Sequence, residues 1–313
     1  MKWSRGLVAA LCCMLLVFVS LPASAADVAW VSFHSADDMP STAAATAGFT
    51  NAPDIGYTTA LAGAGHNVTR VLTHGQPFTP EETDALNAFD LVIVSRSVPS
   101  GNFQDADETV FWNASITAPV MHMGAYGLRN SRLGMYTGGT IPDSVGPVHL
   151  TVNNPSHPIF DGIALDGSNM TVNPYADSVD ASSLLPAPNN VVQRGISIVT
   201  DPIIAGGHVL ATAPVMTGDP PMEVAGTVIA YFPPGLTTAD GTPDVLGGHR
   251  LIFLSGSREN SGLTSEGSGI YDLSQDGGAM FLNAVDFMLA VPEPASATLL
   301  LLAIAGFGML RKR

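Results

Sequence analysis

The sequence predicts an α/β fold: a flavodoxin-like, doubly wound and mostly parallel sheet with helices on both faces. Three observations predict it. Strand-like and helix-like segments alternate through the first half of the body, an order that builds parallel strands through right-handed crossovers. The stretch FDLVIVSRSV, Phe89 to Val98, is almost continuously apolar, as a strand covered on both faces must be. About 265 residues lie between two terminal apolar segments, enough chain to bury a core without covalent staples.

The elements follow in order. Lys2 and Arg5 precede an apolar run from Leu7 to Leu21, and Ala23-Ser24-Ala25 supplies the small residues that a signal peptidase reads. Residues 1–26 are therefore expected to be a secretory signal peptide, since the run is short for a permanent span. Cys12 and Cys13 both fall inside it, so the exported body is expected to hold no disulfide, thiolate ligand or thiol nucleophile.

DVAWVSFH, Asp27 to His34, reads as the first strand, and Asp54 to Ala64 as a helix closed by Gly65. GAGH, Gly63 to His66, is a helix end entering a strand and not a phosphate loop, because GxGxxG is incomplete there. HNVTRVLTH follows as the second strand. The next helix, in FTPEETDALNAF, carries Thr79 as N-cap, Pro80 in its first position, and Glu81 and Glu82 in its first turn. After the FDLVIVSRSV strand, a helix around Asp105 to Ala114 leads into APVMHMGAY, a fourth strand. The C-terminal half reads as strands at HVLATAPV, GTVIAYFP and HRLIFLSGS. It ends in a helix from Gly277 to Leu289 with Phe281, Ala284, Val285, Met288 and Leu289 as its apolar stripe. Residues 27–290 are taken as one exported domain.

The chain closes differently. Ala295 to Leu310 is sixteen residues without a charge, about 24 Å as a helix against about 30 Å of bilayer core. It is expected to be a short transmembrane segment that spans only a thin or locally deformed bilayer. The basic tail Arg311, Lys312 and Arg313 is expected to stay cytoplasmic and so places the body across the membrane. Just before the segment, Pro292, Glu293 and Pro294 hold the chain extended, the form in which a protease or transpeptidase reads a peptide. Residues 291–313 resemble the PEP-CTERM sorting domain of Gram-negative bacteria that make extracellular polysaccharide. The resemblance implies handling by a membrane exosortase after signal peptidase, removal of the tail, and a cell-surface or extracellular protein. A permanent anchor is the plain alternative.

Setting aside both terminal segments leaves seven of the twelve basic residues, all arginine, against 26 of the 27 acids, a net charge of about −19. Such a body is no partner for nucleic acid or an anionic membrane surface, which demand a positive face. Extracellular polysaccharide or other envelope components are the partners the tail suggests.

NNPSHPIFDGI at Asn153 to Ile163, HRLIFLSGS, and then DGGAMFLNAVDFML resemble, in that order, the class I glutamine-amidotransferase-like superfamily, above all its ThuA-like branch. Another flavodoxin-like arrangement is the rival. Catalytic members of that superfamily place a cysteine in a sharp turn after a central strand, with a histidine and an acid. The matching stretch here is VMHMGAYGLR, and Met123-Gly124-Ala125 offers no nucleophile. Gly-x-Ser-x-Gly is absent as well. Cysteine-dependent amide hydrolysis is excluded.

Ligands of open α/β sheets sit beyond the carboxyl ends of the strands. The residues expected there are His34, Asp37 and Asp38 after the first strand, His74 after the second, Arg96 and Ser97 after the third, and His122, Tyr126 and Arg129 at the fourth. Sharing one mouth, Asp37, Asp38, Arg96, Ser97, Tyr126 and Arg129 form the candidate binding set. His34, His74 and His122 are the candidate acid–base groups. His34, Asp37, Asp38, His74 and His122 also include metal-ligand types, but their spacing fits no compact motif and HExxH is missing; neither metal nor cofactor is expected. His157 and His249 read as structural, in a turn and at a strand start. Arg96, Arg129 and Arg132 suit a carboxylate or an acidic sugar, or else neutralise acids such as Asp37, Asp38 and Asp105. Two functions remain: a non-catalytic binding module at the cell surface, or an exported enzyme acting on carbohydrate or peptide through converging imidazoles.

Overall fold

The computed structural model describes residues 25–75, 78–145, 148–175, 178–180, 184, 185, 187, 191–193, 195–215, 225–259 and 263–291. Residues 1–24 of the expected signal peptide, the Pro292-Glu293-Pro294 motif, the segment 295–310 and the basic tail 311–313 lie outside the described residues. Among the described residues no helix is long and apolar enough to cross a membrane.

The first half runs β1 (Asp27–Ser32), α1 (Thr42–Thr46), α2 (Ile55–Gly63), β2 (Asn67–Leu72), α3 (Pro80–Asn87), β3 (Leu91–Val94), α4 (Ala106–Val110) and β4 (Val120–His122). The second half adds the short strands β5 (Asp143–Val145), β6 (Thr151–Val152), β7 (Ser178–Asp180), β8 (Val191–Gln193) and β9 (Gly195–Ser197). It then continues through β10 (His208–Pro214), β11 (Ala225–Phe232), β12 (Arg250–Phe253) and α5 (Gln275–Ala290). One sheet of eight strands has the order β2-β1-β3-β4-β12-β11-β10-β6, while β5 pairs with β9 and β7 with β8 in separate ribbons.

From β2 to β12 every pairing is parallel, with Val28 opposite Leu91 and Met121 opposite both Ile93 and Leu251. That half has the flavodoxin order expected of a doubly wound sheet. The parallel pairing expected of the sheet holds for four of its seven described pairings, while β12-β11, β11-β10 and β10-β6 are antiparallel. Residues 233–249, which join β11 to β12, contain no helix, and a parallel return needs a crossover of a dozen residues or more, usually a helix. The result is a mixed α/β sheet.

Helices cover both faces of the parallel half. On one, Tyr57 of α2 stacks 5.8 Å from Trp30 and meets Phe281 of α5 at 5.3 Å, and Phe281 reaches Phe253 at 5.9 Å. On the other, Phe78, Phe103, Phe111 and Trp112 form a second aromatic cluster, with Phe78 and Phe111 4.6 Å apart. All four residues of β3 are buried, as its unbroken apolar run requires.

Local chemistry starts and stops these helices. Thr79 Oγ1 accepts from Glu82 N at 3.2 Å while Glu82 Oε2 accepts from Thr79 N at 2.7 Å, a capping box with Pro80 in the first turn. The helix expected over Asp105 to Ala114 is α4 followed by one π turn, Phe111–Ser115. Arg250, fully buried, donates from Nη2 to the carbonyls of Trp112 at 2.9 Å, Asn113 at 3.1 Å and Ile116 at 2.5 Å. Those carbonyls turn to a side chain in place of the regular helical ladder. At the other end of the chain, Ser274 Oγ caps α5 by accepting from Gly277 N. Gly277 is required there, because a Cβ would run into the Pro174 carbonyl oxygen. HPIFDGI forms a 3-10 turn, Pro158–Phe160, whose Ile159 and Asp161 carbonyls accept from Asn283 Nδ2 of α5 at 3.2 and 2.9 Å.

Candidate functional site

The carboxyl ends of β1 and β3 converge on the buried carboxylate of Asp54, the residue before α2. Asp54 Oδ2 accepts from Ser95 Oγ at 2.6 Å, Ser32 Oγ at 2.7 Å, Trp30 Nε1 at 2.9 Å and Ser97 Oγ at 3.3 Å. Its Oδ1 lies 2.9 Å from Arg70 Nη1, and Arg70 also grips Asp37 at 2.6 Å. Burial pushes the Asp54 carboxyl upward, but the charges of Arg70 and His34 and the hydrogen bonds of Ser95 and Trp30 outweigh it, leaving the group below its ordinary value. Asp54, Ser32 and Ser97 have no exposure and Ser95 almost none. This is a sealed polar hub that ties α2 to the sheet, and Ser97 belongs to it, not to an open mouth.

The remaining candidates do not share one mouth, which corrects that expectation. Asp37 is committed to Arg70 at the side of β2, and Asp38 is exposed. His74 lies beside Glu82 at 3.8 Å and Phe78 at 4.4 Å. His34 is buried, with Nδ1 accepting from Ser41 N at 3.0 Å and Nε2 unpartnered; burial first, then Arg70, keep its pKa low against the opposing pull of Asp54 and Glu266. His122 faces Phe103 at 6.5 Å on the opposite side of the sheet from the hub. Among the described residues no three His, Asp or Glu side chains are placed to hold a metal ion.

What the strand ends do form is a cavity of about 340 Å³ over β3 and β4. Val94, Val98 and Phe103 give it an apolar wall, and Arg96, His122, Tyr126, Arg258 and Glu259 give it polar groups. Arg96 is the unusual member. Its side chain is only 8% exposed, and the nearest carboxylate oxygen, Glu259 Oε2, is 3.9 Å from Nη2, beyond hydrogen-bond reach. No acceptor is bonded to its guanidinium among the described residues. The Tyr126 ring lies 5.7 Å from this guanidinium and 6.0 Å from that of Arg129, distances at which ring and cation attract. Glu259 is shared, since Arg258 Nη2 lies 3.4 Å from its Oε1, and Arg258 is itself bound to Asp143. His122 lies in the lining with Nε2 unpartnered, and burial, aided by Arg250, pushes its pKa down to about 3. Its ring is therefore neutral at ordinary pH.

Of the candidate binding set, the structure brings Arg96 and Tyr126 to this cavity, with Arg129 beside the Tyr126 ring. Arg132 is turned away, donating from Nε to the Ser100 carbonyl at 2.7 Å. Arg258 and Glu259 were missed; their signal was two charges directly after the HRLIFLSGS strand. The turn that would carry a nucleophile is relaxed: Gly124 has φ −109° and Ala125 opens a 3-10 turn. Ser32, Ser95 and Ser97 at the ends of β1 and β3 bond the Asp54 carboxylate, and none of the three is paired with an imidazole base among the described residues.

Fold and cavity together define an α/β protein with a ligand-sized recess at the carboxyl ends of two parallel strands. No protein-family model matches the chain, and no curated protein matches it. Among solved structures it is similar to a putative ThuA-like protein from Parabacteroides merdae ATCC 43184, at 9% identity and a TM-score of 0.42 over 85% of this chain and 90% of that one. The fold assignment here rests on strand order and pairing.

Proposed function

We propose that the chain is an exported cell-surface or extracellular-matrix protein whose α/β body is a non-catalytic binding module, with its ligand seat in the cavity over β3 and β4. One observation carries the module reading: Arg96 is a nearly buried cation in a cavity wall without a hydrogen-bonded anion among the described residues. Burying a charge costs several kcal/mol unless a partner compensates, and an anion from outside supplies that partner. Met123-Gly124-Ala125, which holds no nucleophile, and imidazoles that stand apart support a module over an enzyme.

Export rests on the two ends of the sequence. The N-terminal segment suits signal peptidase, and the Pro292-Glu293-Pro294 tail, through its resemblance to the PEP-CTERM signal, suits an exosortase that delivers the body to the polysaccharide or envelope outside. HPIFDGI and the closing strand–helix pair favour the ThuA-like branch as the origin of the body.

Two measurements test this reading. Intact mass of protein recovered from the cell surface is expected to lack residues 1–26 and the tail beyond Pro294; a mass that retains the tail refutes its removal. Thermal denaturation with small organic anions is expected to show stabilisation of the wild type that Arg96→Gln abolishes. Equal stabilisation of both proteins would place the ligand elsewhere.

A further inference from the structure

The cavity restricts its ligand further than "an anion", and this step rests on the binding-module reading above. We infer that it takes a single-ring monocarboxylate, with the carboxylate on Arg96 and the ring against Tyr126 and the wall of Val94, Val98 and Phe103.

Three features of the lining decide this. The first is charge. Arg258 is held by Asp143 and Glu259, and Arg96 has Glu259 only at 3.9 Å. Among the described residues, Arg96 is thus the one cation of the wall with an open face, and the neutral imidazole of His122 adds none. One open guanidinium matches one carboxylate, to which it can donate two parallel bonds. A phosphate, with two charges, would bring its second charge against Glu259.

The second feature is size. A cavity of about 340 Å³ is at the small end of ligand pockets, roughly 300–1,000 Å³. One ring with its carboxylate fits that volume.

The third is the ring seat. Tyr126 is half-buried beside two guanidiniums, and Val94, Val98 and Phe103 supply an apolar wall in the same recess. Ser100 and Ser265 also line it and offer hydroxyls to a ligand that carries its own. An acidic sugar and an aromatic acid share this chemistry of ring and carboxylate, and the test separates them.

The test is isothermal titration of the full mature protein with galacturonate, benzoate, galactose and inorganic phosphate. Galacturonate or benzoate is expected to bind at least tenfold more tightly than galactose and phosphate; the tighter of the two identifies a sugar or an aromatic source. Arg96→Gln is expected to lower that affinity at least tenfold, and Tyr126→Ala to weaken it while sparing the preference for a carboxylate. Glu259→Gln is expected to improve phosphate more than galacturonate. Because Arg96 has no hydrogen bond to lose in the free protein, Arg96→Gln is expected to melt no lower than wild type, which keeps its loss of binding interpretable. If galactose or phosphate binds as tightly as the carboxylates and Arg96→Gln still weakens it, the ligand class is wrong while the cavity remains the seat. If no probe binds the wild type, the inference fails. If, in addition, no anion stabilises it in an Arg96-dependent way, the module reading fails with it.

Discussion

Replacing Asp54 by Asn removes one charge and leaves the shape of the side chain intact, so it isolates what the hub contributes electrostatically. In the wild type one oxygen of Asp54 accepts from Trp30, Ser32, Ser95 and Ser97, and the other pairs with Arg70 at 2.9 Å. Taking one partner out of a buried ion pair costs about 3–5 kcal/mol. Arg70 keeps Asp37, and Asn keeps one acceptor oxygen, so the loss should fall near the lower end, about 3 kcal/mol. For a domain of this size each kcal/mol moves the midpoint by roughly 2–4 °C, and the variant should melt roughly 6–12 °C below wild type. Urea and thermal unfolding followed by far-UV circular dichroism measure both. The sign of the pH dependence gives a second check. The folded carboxyl lies below its ordinary value of 3.8, so its contribution is complete above that pH and is lost as pH falls through the folded value. The gap between wild type and variant should therefore narrow in acid. A gap under 1 kcal/mol at pH 7, or one that stays constant from pH 7 to pH 3, would refute the assignment of Asp54 as an ionised hub.

Two other substitutions probe the same end of the sheet. His122 has its pKa depressed from 6.5 to about 3, so its neutral form is favoured by the fold; stability is full above about 6.5 and declines as pH falls towards 3. At about 1.4 kcal/mol per unit, roughly 2 kcal/mol goes between pH 7 and pH 5. His122→Phe should flatten that part of the profile in urea unfolding, and identical slopes would show that the imidazole is not the buried neutral base described. Arg250→Met keeps apolar volume but strips hydrogen bonds from the carbonyls of Trp112, Asn113, Ile116, Ala118 and His249. Each buried carbonyl left unsatisfied costs about 1–3 kcal/mol, so the variant should unfold at least 3 kcal/mol more easily; hydrogen exchange should rise first in residues 111–116, and unchanged exchange there would show that Arg250 does not hold the π turn.

The parts of this fold legible in the sequence are those set by neighbours a few residues apart. Thr79, Pro80 and Glu82 cap α3 within one turn, and Leu91-Val92-Ile93-Val94 reads as a buried strand because burial on both faces leaves no polar position. The antiparallel half was less legible. β10, β11 and β12 carry the same apolar character whichever way they pair, and direction was settled by a connection lacking a helix. The three-residue strands β5, β7, β8 and β9 have too few residues for a period of two to show. The hub was hidden for a different reason: Asp54 sits where a helix N-cap would, yet its partners Arg70 and Ser95 are 16 and 41 residues away. A signal was present, since Ser32, Ser95 and Ser97 put hydroxyls at the ends of otherwise apolar strands, where an unpaired polar group would be costly.

Hub and cavity occupy the same end of the sheet, and their difference explains why only one suits a ligand. In the hub the serines, Trp30 and Arg70 converge on a single carboxylate, so an incoming group would find the partners taken. At the cavity the opposite holds, because the backbone of Arg96 is fixed while its guanidinium bonds no acceptor among the described residues. Ser268 Oγ donates to the Arg96 carbonyl at 3.2 Å, and Gly256, at φ +91°, brings the loop after β12 so close that a Cβ there would lie 3.0 Å from Arg96 Cβ. A side chain anchored at its root and nearly buried, with Glu259 no nearer than 3.9 Å, loses little freedom when it meets an anion and gains a hydrogen-bonded partner. That combination lowers the ordering cost of association. It also means that the cost of keeping Arg96 buried is already carried by the free protein.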